Sequence, residues 1–487
     1  MSYQLSFRFI FRLFIILFVF AFTSCTKAKD NSQPTPPIDT VPVVPVKTDV
    51  VFWLTSPNQS TYFKKQNIAL NFSISPTSDP TIVVDGATSY QSVDGFGFSL
   101  TGGSAYLINR LSDEKRDDLL KELFTTDSTF IGISYLRISI GASDLDKSVF
   151  SYNDIPTTET DLDLLKFSMA QDTIDLIPIL KSILALNPNI KILGSPWSAP
   201  LWMKTNQNSV GGSLKPEYYS VYANYFVKYI QAMQAEGIVI DAITLQNEPL
   251  NPYNNPSMEM SAIQQADFIK NHLGPAFELA NITTKIIVYD HNCDVASYPL
   301  TILNDVDAKK YIDGSAFHLY AGDIGALSQV HNAHPDKNVY FTEQWVGGPS
   351  NFAGDLNWHV KNLIIGAMRN WSKNVIEWNL ASDPSYRPHT IGGCSNCLGA
   401  ITIGTSASRN VAYYIIAHAS KFVKTGSVRI ASNMVTNLPN VAFKTPEGKM
   451  VLIVLNESNS SQTFNIKSDG KFVTSTLAAG AVGTYVW

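Results

Sequence analysis

The chain has 487 residues, which is long for a single minimal domain, although one α/β barrel can by itself take up about 250 residues or more. Hydrophobic residues make up 45% and charged residues 16%, so the chain can build a large core and is not disordered overall. The 36 Lys and Arg residues against 41 Asp and Glu residues give a net charge of −5, which leaves no basic surplus for neutralising phosphates. We therefore expect no nucleic-acid partner.

Residues 1–24 have the pattern of an export signal that is removed from the mature protein. Arg8 and Arg12 make the start positive, and the apolar run that follows is too short to span a bilayer comfortably. The letters FTSC then put a small residue directly before Cys25, which is similar to a bacterial lipoprotein signal. We expect Cys25 to be lipidated and to anchor the exported protein to a bacterial outer membrane, on its periplasmic or surface side. The alternative is an ordinary secretory leader with a chance cysteine.

The stretch 25–49 is rich in Pro, Thr and Val, with PTPPIDTVPVVP at its centre. Such a stretch has no amphipathic period and contains several fixed φ angles, so it indicates a flexible tether. A tether after a lipid anchor would hold the following domain clear of the membrane.

Residues 50–90 contain three short runs that are typical of strands, VVFWLTS, IALNFSI and TIVVDG. They are too few to form a domain of their own. We expect them to contribute to a β-sandwich together with strands from the C-terminal end.

Residues 91–420 repeat one pattern, in which a short β-branched run is followed by polar or Gly-rich residues and then by a segment of helical period. We predict eight strands, at 95–100, 133–140, 190–196, 240–246, 284–290, 314–319, 338–343 and 375–380. The helices predicted between them include 172–187, 216–236, 259–280, 298–310 and 354–371. This alternation favours the α/β class and a parallel sheet closed as a (β/α)8 TIM barrel. The competitor is an open doubly wound sheet, but its GxGxxG phosphate loop is missing.

The C-terminal part, 421–487, changes character and consists of short strands separated by Asn, Gly, Ser and Lys turns. We predict strands at 427–431, 440–444, 449–455, 461–466 and 471–475. This pattern predicts a small antiparallel β-sandwich attached to the barrel.

Cys394 and Cys397 form a CxxC pair, which has three interpretations: half a zinc site, a thiol redox pair, or a small loop disulfide. No second CxxC or His pair completes a zinc set, and the surrounding GGCSNC lacks the strand-to-helix setting of a redox motif. In an exported protein we favour the loop disulfide. We expect no metal and no cofactor.

Two glutamates stand at the predicted ends of barrel strands, which is where barrel enzymes carry their catalytic residues. The fourth strand ends in QNEP, with Glu248, and the seventh in TEQW, with Glu343. Hydrolysis of an acetal needs one carboxyl group that delivers a proton and another that meets the positive charge at the anomeric carbon. We expect the two carboxyl groups to face each other about 5 Å apart. Asn247 and Arg137 could hold them in different protonation states.

Other polar and aromatic side chains come at the same strand ends, and such a rim suits a polyhydroxylated substrate. They are Arg137 in the second strand with Asp144 just beyond it, Trp197 after the third, His318 and Tyr320 at the end of the sixth, Trp345 after the seventh and Trp378 in the eighth.

Seven longer motifs stand in order along the chain: VDGFGFSLTGGSA (93–105), YLRISIGASD (135–144), SPWSAPLWMKTN (195–206), LQNEP (245–249), HLY (318–320), YFTEQW (340–345) and EWNLA (377–381). Through these motifs the chain resembles glycoside hydrolase family 30, the glucosylceramidase-like and β-1,6-glucanase-like enzymes. The resemblance implies a (β/α)8 barrel with an attached β-sandwich. It also implies that Glu248 is the acid/base and that Glu343 is the nucleophile of a retaining mechanism.

The resemblance implies further roles around the sugar next to the cleaved bond. Asp144 and Trp197 would hold its hydroxyl groups, Trp378 would stack on it, and Asn247 would bind its 2-hydroxyl. Arg137 and Tyr320 would orient the nucleophile, and His318 and Trp345 complete the expected substrate-binding set. For the aromatic side chains the alternative is core packing, and for His318 a structural role.

The substrate expected from this resemblance is a β-1,6-glucan or a related β-glucoside, because the segments 53–66 and 392–399 look more like the bacterial β-1,6-glucanase-like branch. Glucosylceramide is the alternative substrate. A carbohydrate-binding lipoprotein without catalysis and a thiol oxidoreductase that uses Cys394 and Cys397 are the alternatives from other classes. The presence of both glutamates argues against the non-catalytic alternative.

Overall fold

The computed structural model describes residues 46–487. The predicted signal 1–24, the lipidation site Cys25 and the predicted tether up to residue 45 lie outside the described residues. Within the described part, no helix is both long enough and apolar enough to cross a membrane.

Strands and helices alternate through most of residues 46–487. The strands are β1 (Val51–Thr55), β2 (Lys64–Lys65), β3 (Thr81–Ser92), β4 (Gly95–Ser99), β5 (Tyr135–Ser139), β6 (Lys191–Ser195), β7 (Ala242–Thr244), β8 (Lys285–Cys293), β9 (Ile312–Gly322), β10 (Asn338–Glu343), β11 (Val346–Gly347), β12 (Ser372–Asn379), β13 (Ala381–Ser382), β14 (Cys397–Leu398), β15 (Ile401–Ile403), β16 (Ala407–Arg409), β17 (Val428–Ser432), β18 (Asn440–Lys444), β19 (Met450–Leu455), β20 (Gln462–Ser468), β21 (Lys471–Leu477) and β22 (Val482–Val486).

The α-helices are α1 (Gly102–Asn109), α2 (Asp113–Phe124), α3 (Leu176–Leu186), α4 (Tyr219–Ala235), α5 (Ala262–Phe268), α6 (Gly274–Leu279), α7 (Ser297–Asn304), α8 (Val306–Lys309), α9 (Ala326–Ala333), α10 (Phe352–His359) and α11 (Val411–Ser420). Short 3-10 helices span Leu201–Met203 and Pro216–Tyr218, and π-helical segments span Ile269–Leu273 and Val360–Ala367.

Eight strands close into a barrel in the order β10-β12-β4-β5-β6-β7-β8-β9. Every neighbouring pair in it is parallel. This confirms the (β/α)8 barrel and excludes the open doubly wound sheet. Each of the eight predicted strands coincides with a barrel strand, and all their carboxyl ends therefore open on one face.

The barrel interior is filled by side chains, so it is a packed core and not a channel. One fully enclosed cluster takes a residue from each of seven strands: Tyr135, Leu193, Ala242, Ile287, Ala316, Tyr340 and Ile376. The packing holds the strands in a fixed register, which in turn fixes the side chains at their carboxyl ends.

The β-sandwich combines strands from both ends of the chain, as expected for the segment 50–90. Its strand order is β2-β1-β22-β19-β18-β17-β3-β20-β21. The pairing is antiparallel except between β3 and β20, which are parallel. In the sequence, β3 precedes the barrel and β20 follows it, so no hairpin turn joins the two strands and constrains their relative direction.

The run IALNFSI does not form a strand as expected, and it contributes one isolated bridge, between Ser73 and Phe472. In this run, side chains bind backbone groups that a neighbouring strand would otherwise pair with. The Asn71 side-chain oxygen accepts a hydrogen bond from the backbone N–H of Asp49, and the Asp49 carboxylate accepts one from the backbone N–H of Phe72. Conversely, β22 was not predicted, although it lies between β1 and β19 in the sheet.

Candidate active site

Two glutamates face each other at the carboxyl ends of the barrel strands. Glu248 follows β7, and Glu343 is the last residue of β10. A carboxylate oxygen of Glu248 and one of Glu343 lie within 4.8 Å of each other. Retaining glycosidases hold their two carboxyl groups about 5–5.5 Å apart, whereas inverting enzymes need about 6.5–9.5 Å to admit a water molecule. The separation is therefore that of the retaining geometry.

The carboxylate of Glu343 is held from two sides. The Arg137 guanidinium donates to its Oε2 at 2.5 Å, and the Tyr320 hydroxyl donates to its Oε1 at 2.9 Å. Arg137 also donates to Asn247 Oδ1 at 2.6 Å, so that the amide nitrogen is the end of Asn247 that remains for a ligand. These contacts fix the direction from which Glu343 can approach a sugar carbon.

Glu248 stands on a strained turn of the backbone, with a φ of +46°. Its N–H donates to the Asp290 carbonyl at 3.0 Å, which holds the turn in place. Its carboxylate accepts from Asn251 Nδ2 at 2.7 Å and lies 3.3 Å from His318 Nδ1. Strain of this kind persists only where the surroundings over-determine it, as at functional sites.

Asp290, within the fifth barrel strand β8, connects the two glutamates and was not found from the sequence. Its fully buried carboxylate accepts from Arg137 at 2.8 Å, and its Oδ1 lies 3.1 Å from His318 Nε2. Arg137 in turn contacts Glu343, and His318 contacts Glu248. Three hydroxyl groups complete its shell, those of Ser195, Thr244 and Thr342. The sequence signal that could have indicated Asp290 is the polar triplet DHN, which directly follows the apolar strand run IIVY.

The two glutamates differ in their electrostatic surroundings. Burial raises the pKa of Glu248, but the hydrogen bond and the charge of His318 bring that pKa down to about 2. For Glu343 burial prevails, so its pKa is raised although His318 and Arg137 pull it down. Burial alone would lower the pKa of His318, whereas the charges of Glu343, Asp290 and Glu248 raise it to about 9. These opposite shifts favour a proton on His318 over a proton on Glu248.

From the sequence, Asn247 and Arg137 were expected to hold Glu248 and Glu343 in different protonation states. The structure gives the two residues a different part in this. Asn247 makes its contact with Arg137 and not with a glutamate. Arg137 does lower the pKa of Glu343, but the low pKa of Glu248 depends on His318.

A cavity of about 520 Å³ opens above the glutamates. Two tryptophans, Trp197 and Trp378, lie in its wall with ring centroids 5.3 Å apart and planes inclined by 26°. The Arg137 guanidinium carbon lies 4.8 Å from the Trp197 ring centroid, which adds a cation–π contact. Both rings are largely buried and pack against each other in one cluster, so only a small part of each is open to a ligand in the cavity.

Most of the predicted site residues line this cavity. They are Asp144, Trp197, Asn247, Glu248, Tyr320, Glu343, Trp345 and Trp378, together with Cys394 and Cys397. Arg137 and His318 do not, because both are completely buried beneath the glutamates. Arg137 contacts Glu343, as expected for a residue that orients the nucleophile, and His318 contacts Glu248 instead of lining the cavity as a substrate-binding residue.

A disulfide loop forms one side of the cavity. Cys394 and Cys397 are bonded to each other, which agrees with the loop disulfide and not with a zinc site. The N–H of Cys394 donates to the Asp144 carboxylate at 3.1 Å, and Thr390 N–H donates to the Asp144 carbonyl at 2.8 Å. Burial raises the pKa of Asp144 to about 6 against the effect of the Cys394 hydrogen bond. The loop thus fixes a carboxyl group at the sugar-binding wall.

Among residues 46–487, Glu248, His318 and Glu343 form a group whose donor atoms are close enough together to hold a metal ion. However, both ring nitrogens of His318 already contact carboxylates, those of Glu248 and Asp290. The guanidinium of Arg137, 2.5 Å from Glu343, would repel a second cation. The group is therefore better suited to proton exchange between carboxyl groups than to metal binding.

Two family models match the chain. "Glycosyl hydrolase family 30 TIM-barrel domain" matches residues 93–423, and "Glycosyl hydrolase family 30 beta sandwich domain" matches residues 426–485. Together they cover the barrel and the C-terminal strands of the sandwich.

Relatives and solved structures agree with this match. An endo-1,6-beta-D-glucanase of Neurospora crassa is 38% identical over 69% of this chain and 72% of its own length. The lysosomal acid glucosylceramidase of Mus musculus is 29% identical over 82% of this chain and 81% of its own length. The structure of the endo-beta1,6-glucanase BT3312 superposes with a TM-score of 0.85 at 34% identity, covering 91% of this chain and 99% of that protein. The chain belongs to glycosyl hydrolase family 30 and is a glycoside hydrolase.

Proposed function

We propose that the protein hydrolyses β-1,6-glucosidic bonds of a β-glucan with retention of configuration, with Glu343 as the nucleophile and Glu248 as the acid/base. The observation that carries the mechanism is the approach of the two carboxylates to within 4.8 Å of each other. The names of the glucanase relatives, which are more similar to this chain than the glucosylceramidase is, support the substrate.

The reaction proceeds in two displacements. Glu343 attacks the anomeric carbon while Glu248 delivers a proton to the bridging oxygen, so that the leaving sugar departs and a covalent glycosyl ester forms. Glu248 then takes a proton from water, and the water oxygen displaces Glu343 from the same carbon. Arg137 and Tyr320, which both donate to Glu343, stabilise it as a carboxylate in the free and released states.

The acid role of Glu248 requires a proton, which in the unliganded site is favoured on His318. His318 Nδ1 lies 3.3 Å from Glu248 Oε1, so the proton can pass directly between them. A sugar in the cavity excludes water from Glu248, which disfavours its charged form and drives the transfer in this direction. Asp290, which contacts the opposite nitrogen of His318, holds the ring in position.

The sugar before the cleaved bond is proposed to lie between the tryptophan wall and Asp144. Trp197 and Trp378 contact the sugar with the parts of their rings that line the cavity, and Asp144 and the amide nitrogen of Asn247 bind hydroxyl groups. A hydrogen bond from Asn247 to the 2-hydroxyl strengthens as positive charge develops on the ring.

The outer part of the cavity favours a glucan over glucosylceramide. Four asparagines line it, Asn251, Asn254, Asn292 and Asn396. Amide groups match the hydroxyl groups of further sugar units, whereas the two hydrocarbon chains of a ceramide need a continuous apolar surface. The observation therefore supports a carbohydrate on the leaving-group side as well.

The proposal is tested on β-1,6-, β-1,3- and β-1,4-glucans and on glucosylceramide, with the wild-type protein and the variants Glu343→Gln and Glu248→Gln. We expect release of β-anomeric products from the β-1,6-glucan, followed by NMR, and a loss of about 10³-fold or more in Glu343→Gln, because the nucleophile is missing. In Glu248→Gln, azide should restore cleavage of an activated aryl β-glucoside and give a β-glucosyl azide, because azide needs no general base.

Glu217→Gln, an exposed glutamate outside the cavity, is the matched control and should keep wild-type activity. Hydrolysis by Glu343→Gln at the wild-type rate, or products that first appear as the α-anomer, would contradict the mechanism. Cleavage of glucosylceramide in preference to every glucan would overturn the substrate.

We also propose that the protein is exported and lipid-anchored through Cys25, supported by Arg8, Arg12, the apolar run after them and the small residue before the cysteine. In a bacterial host, the wild-type chain should incorporate a labelled fatty acid and sediment with membranes. The variant Cys25→Ser should do neither, with Cys293→Ser as the control. Membrane association that survives Cys25→Ser would contradict lipidation at this residue.

A further inference from the structure

A loop leads from Glu248 to the outer edge of the cavity and presents an open aromatic ring there. The loop covers residues 249–256, and Asn251, Tyr253 and Asn254 in it line the cavity. The Tyr253 side chain is 85% exposed even so. Because this exposed ring lines the cavity, its aromatic face is available to a ligand that extends out of the cavity.

Tyr253 is connected to Glu248 through a single residue. Asn251 Nδ2 donates to Glu248 Oε2 at 2.7 Å, and the backbone N–H of Tyr253 donates to Asn251 Oδ1 at 3.2 Å. The backbone of Tyr253 therefore has a defined place relative to the carboxyl group that protonates the leaving oxygen.

The loop is also tied to the opposite side of the cavity. Asn255 Nδ2 donates to the Ile391 carbonyl at 2.7 Å, and the Thr390 hydroxyl donates to the Asn255 carbonyl. The Asn254 side chain lies next to the Asp144 carboxylate and lowers its pKa. A surface that is ordered before the ligand arrives loses little entropy on binding, so this loop is a preformed contact surface.

The chemistry of the reaction decides which part of the substrate meets this surface. The nucleophile attacks the anomeric carbon from the face opposite the bridging oxygen, and the acid/base lies next to that oxygen. The sugar beyond the bridging oxygen therefore leaves past Glu248. Loop 249–256 lies on this side, because its Asn251 is hydrogen bonded to Glu248.

We propose that Tyr253, with Asn251 and Asn254, forms the subsite for the leaving-group sugar and that it takes a neutral glucose unit of the chain. This inference rests on the proposed function. The Tyr253 ring stacks on the sugar face, and the two amides bind hydroxyl groups. The charged residues of the cavity wall are Asp144, Glu248 and Glu343, and the loop itself adds none, which suits an uncharged sugar.

The test compares Tyr253→Ala and Tyr253→Phe with the wild-type protein on β-1,6-linked glucotetraose. We expect Tyr253→Ala to lose about tenfold in kcat/KM, because the ring surface is gone, and Tyr253→Phe to stay within about threefold, because the ring remains. In a Glu343→Gln background, which binds substrate without turnover, Tyr253→Ala should weaken the Kd for glucotetraose by a similar factor, measured by calorimetry.

Tyr62→Ala is the control, since Tyr62 is a partly exposed tyrosine that does not line the cavity, and it should behave as wild type. The inference is overturned if Tyr253→Ala keeps the wild-type kcat/KM and Kd, or if Tyr253→Phe loses as much as Tyr253→Ala. Failure of the proposed function looks different, because the wild-type protein would then not cleave glucotetraose at all.

Discussion

One buried carboxylate, that of Asp290, supports both glutamates of the active site. Arg137 lies between Asp290 and Glu343, and His318 lies between Asp290 and Glu248. The three carboxylates of this network face two cationic groups, so the network, without Asp144 of the cavity wall, keeps one net negative charge when His318 is protonated. Asp290 is therefore a positioning residue whose charge affects both steps of the reaction without touching the substrate.

We expect Asp290→Asn to lower kcat about 10²-fold with a much smaller change in KM, because the glutamates are misplaced while the tryptophan wall is intact. The charge of Asp290 helps to raise the pKa of His318 to about 9, so the variant should lose its protonated His318 at lower pH. The alkaline limb of the kcat/KM profile should accordingly move toward neutral pH, as measured on an aryl β-glucoside.

Asp313→Asn is the matched control, because Asp313 is also an aspartate of a barrel strand but contacts Lys285 and Tyr340 and does not line the active-site cavity. It should leave the pH profile unchanged. A variant at Asp290 that folds, as shown by its circular dichroism, and loses kcat without any shift of the alkaline limb would contradict the electrostatic role.

The positions of Glu248 and Glu343, which we propose carry the chemistry, could be predicted from the sequence because both glutamates follow apolar strand runs directly and stand in long motifs. Asp290 also follows such a run, but a single aspartate at a strand end is common, and only the folded barrel shows that it contacts Arg137 and His318. Tyr253 escaped notice because its function depends on the path of the loop after Glu248, which no periodicity encodes.

At the scale of the elements, regular patterns predicted the core of each strand but not where the hydrogen-bonded ladder stops. The strand predicted at 240–246 is hydrogen bonded only over Ala242–Thr244. Beyond Thr244 the chain leaves the ladder, so that Asn247 N–H can donate to the Pro196 carbonyl and Glu248 N–H to the Asp290 carbonyl. The strand is short because the catalytic turn begins at its end.

Helices show the same limit. The helix predicted at 259–280 is continuous, but its centre, Ile269–Leu273, is π-helical and its neighbours are α5 and α6. The helix predicted at 298–310 is divided at Asp305, whose carboxylate accepts from the N–H groups of Asp307 and Ala308 and so begins a new helix. Hydrophobic periodicity reports which face of a helix is buried, and it is insensitive to one inserted residue or one internal cap.

At the scale of the whole molecule, the barrel and the sandwich are joined by a buried polar contact around His418 of α11. Its Nδ1 lies 2.8 Å from Thr484 Oγ1 in β22, and its Nε2 lies 2.8 Å from Thr55 Oγ1 in β1. The Thr484 hydroxyl donates to the His418 carbonyl, so Nδ1 must be the donor to it. Thr55 then donates to Nε2, which assigns a neutral imidazole.

This contact predicts an acid-sensitive junction. Burial lowers the pKa of His418 to about 3, whereas the unfolded chain takes up the proton near pH 6.5. Because the folded pKa lies below the unfolded one, the stability that the neutral imidazole contributes is complete above pH 6.5 and is lost as the pH falls toward 3. The slope can reach about 1.4 kcal/mol per pH unit in that window.

We expect His418→Gln to lower the free energy of unfolding by roughly 1–3 kcal/mol at pH 7, because it disturbs two buried hydrogen bonds. The difference between wild type and variant should then shrink between pH 6.5 and pH 4, since glutamine takes up no proton, and denaturant unfolding at several pH values measures it. His272→Gln, on a helix of the barrel and in contact with Ser220, is the control whose difference from wild type should stay small. A gap between wild type and His418→Gln that stays constant or widens toward pH 4 would show that His418 is charged in the folded protein.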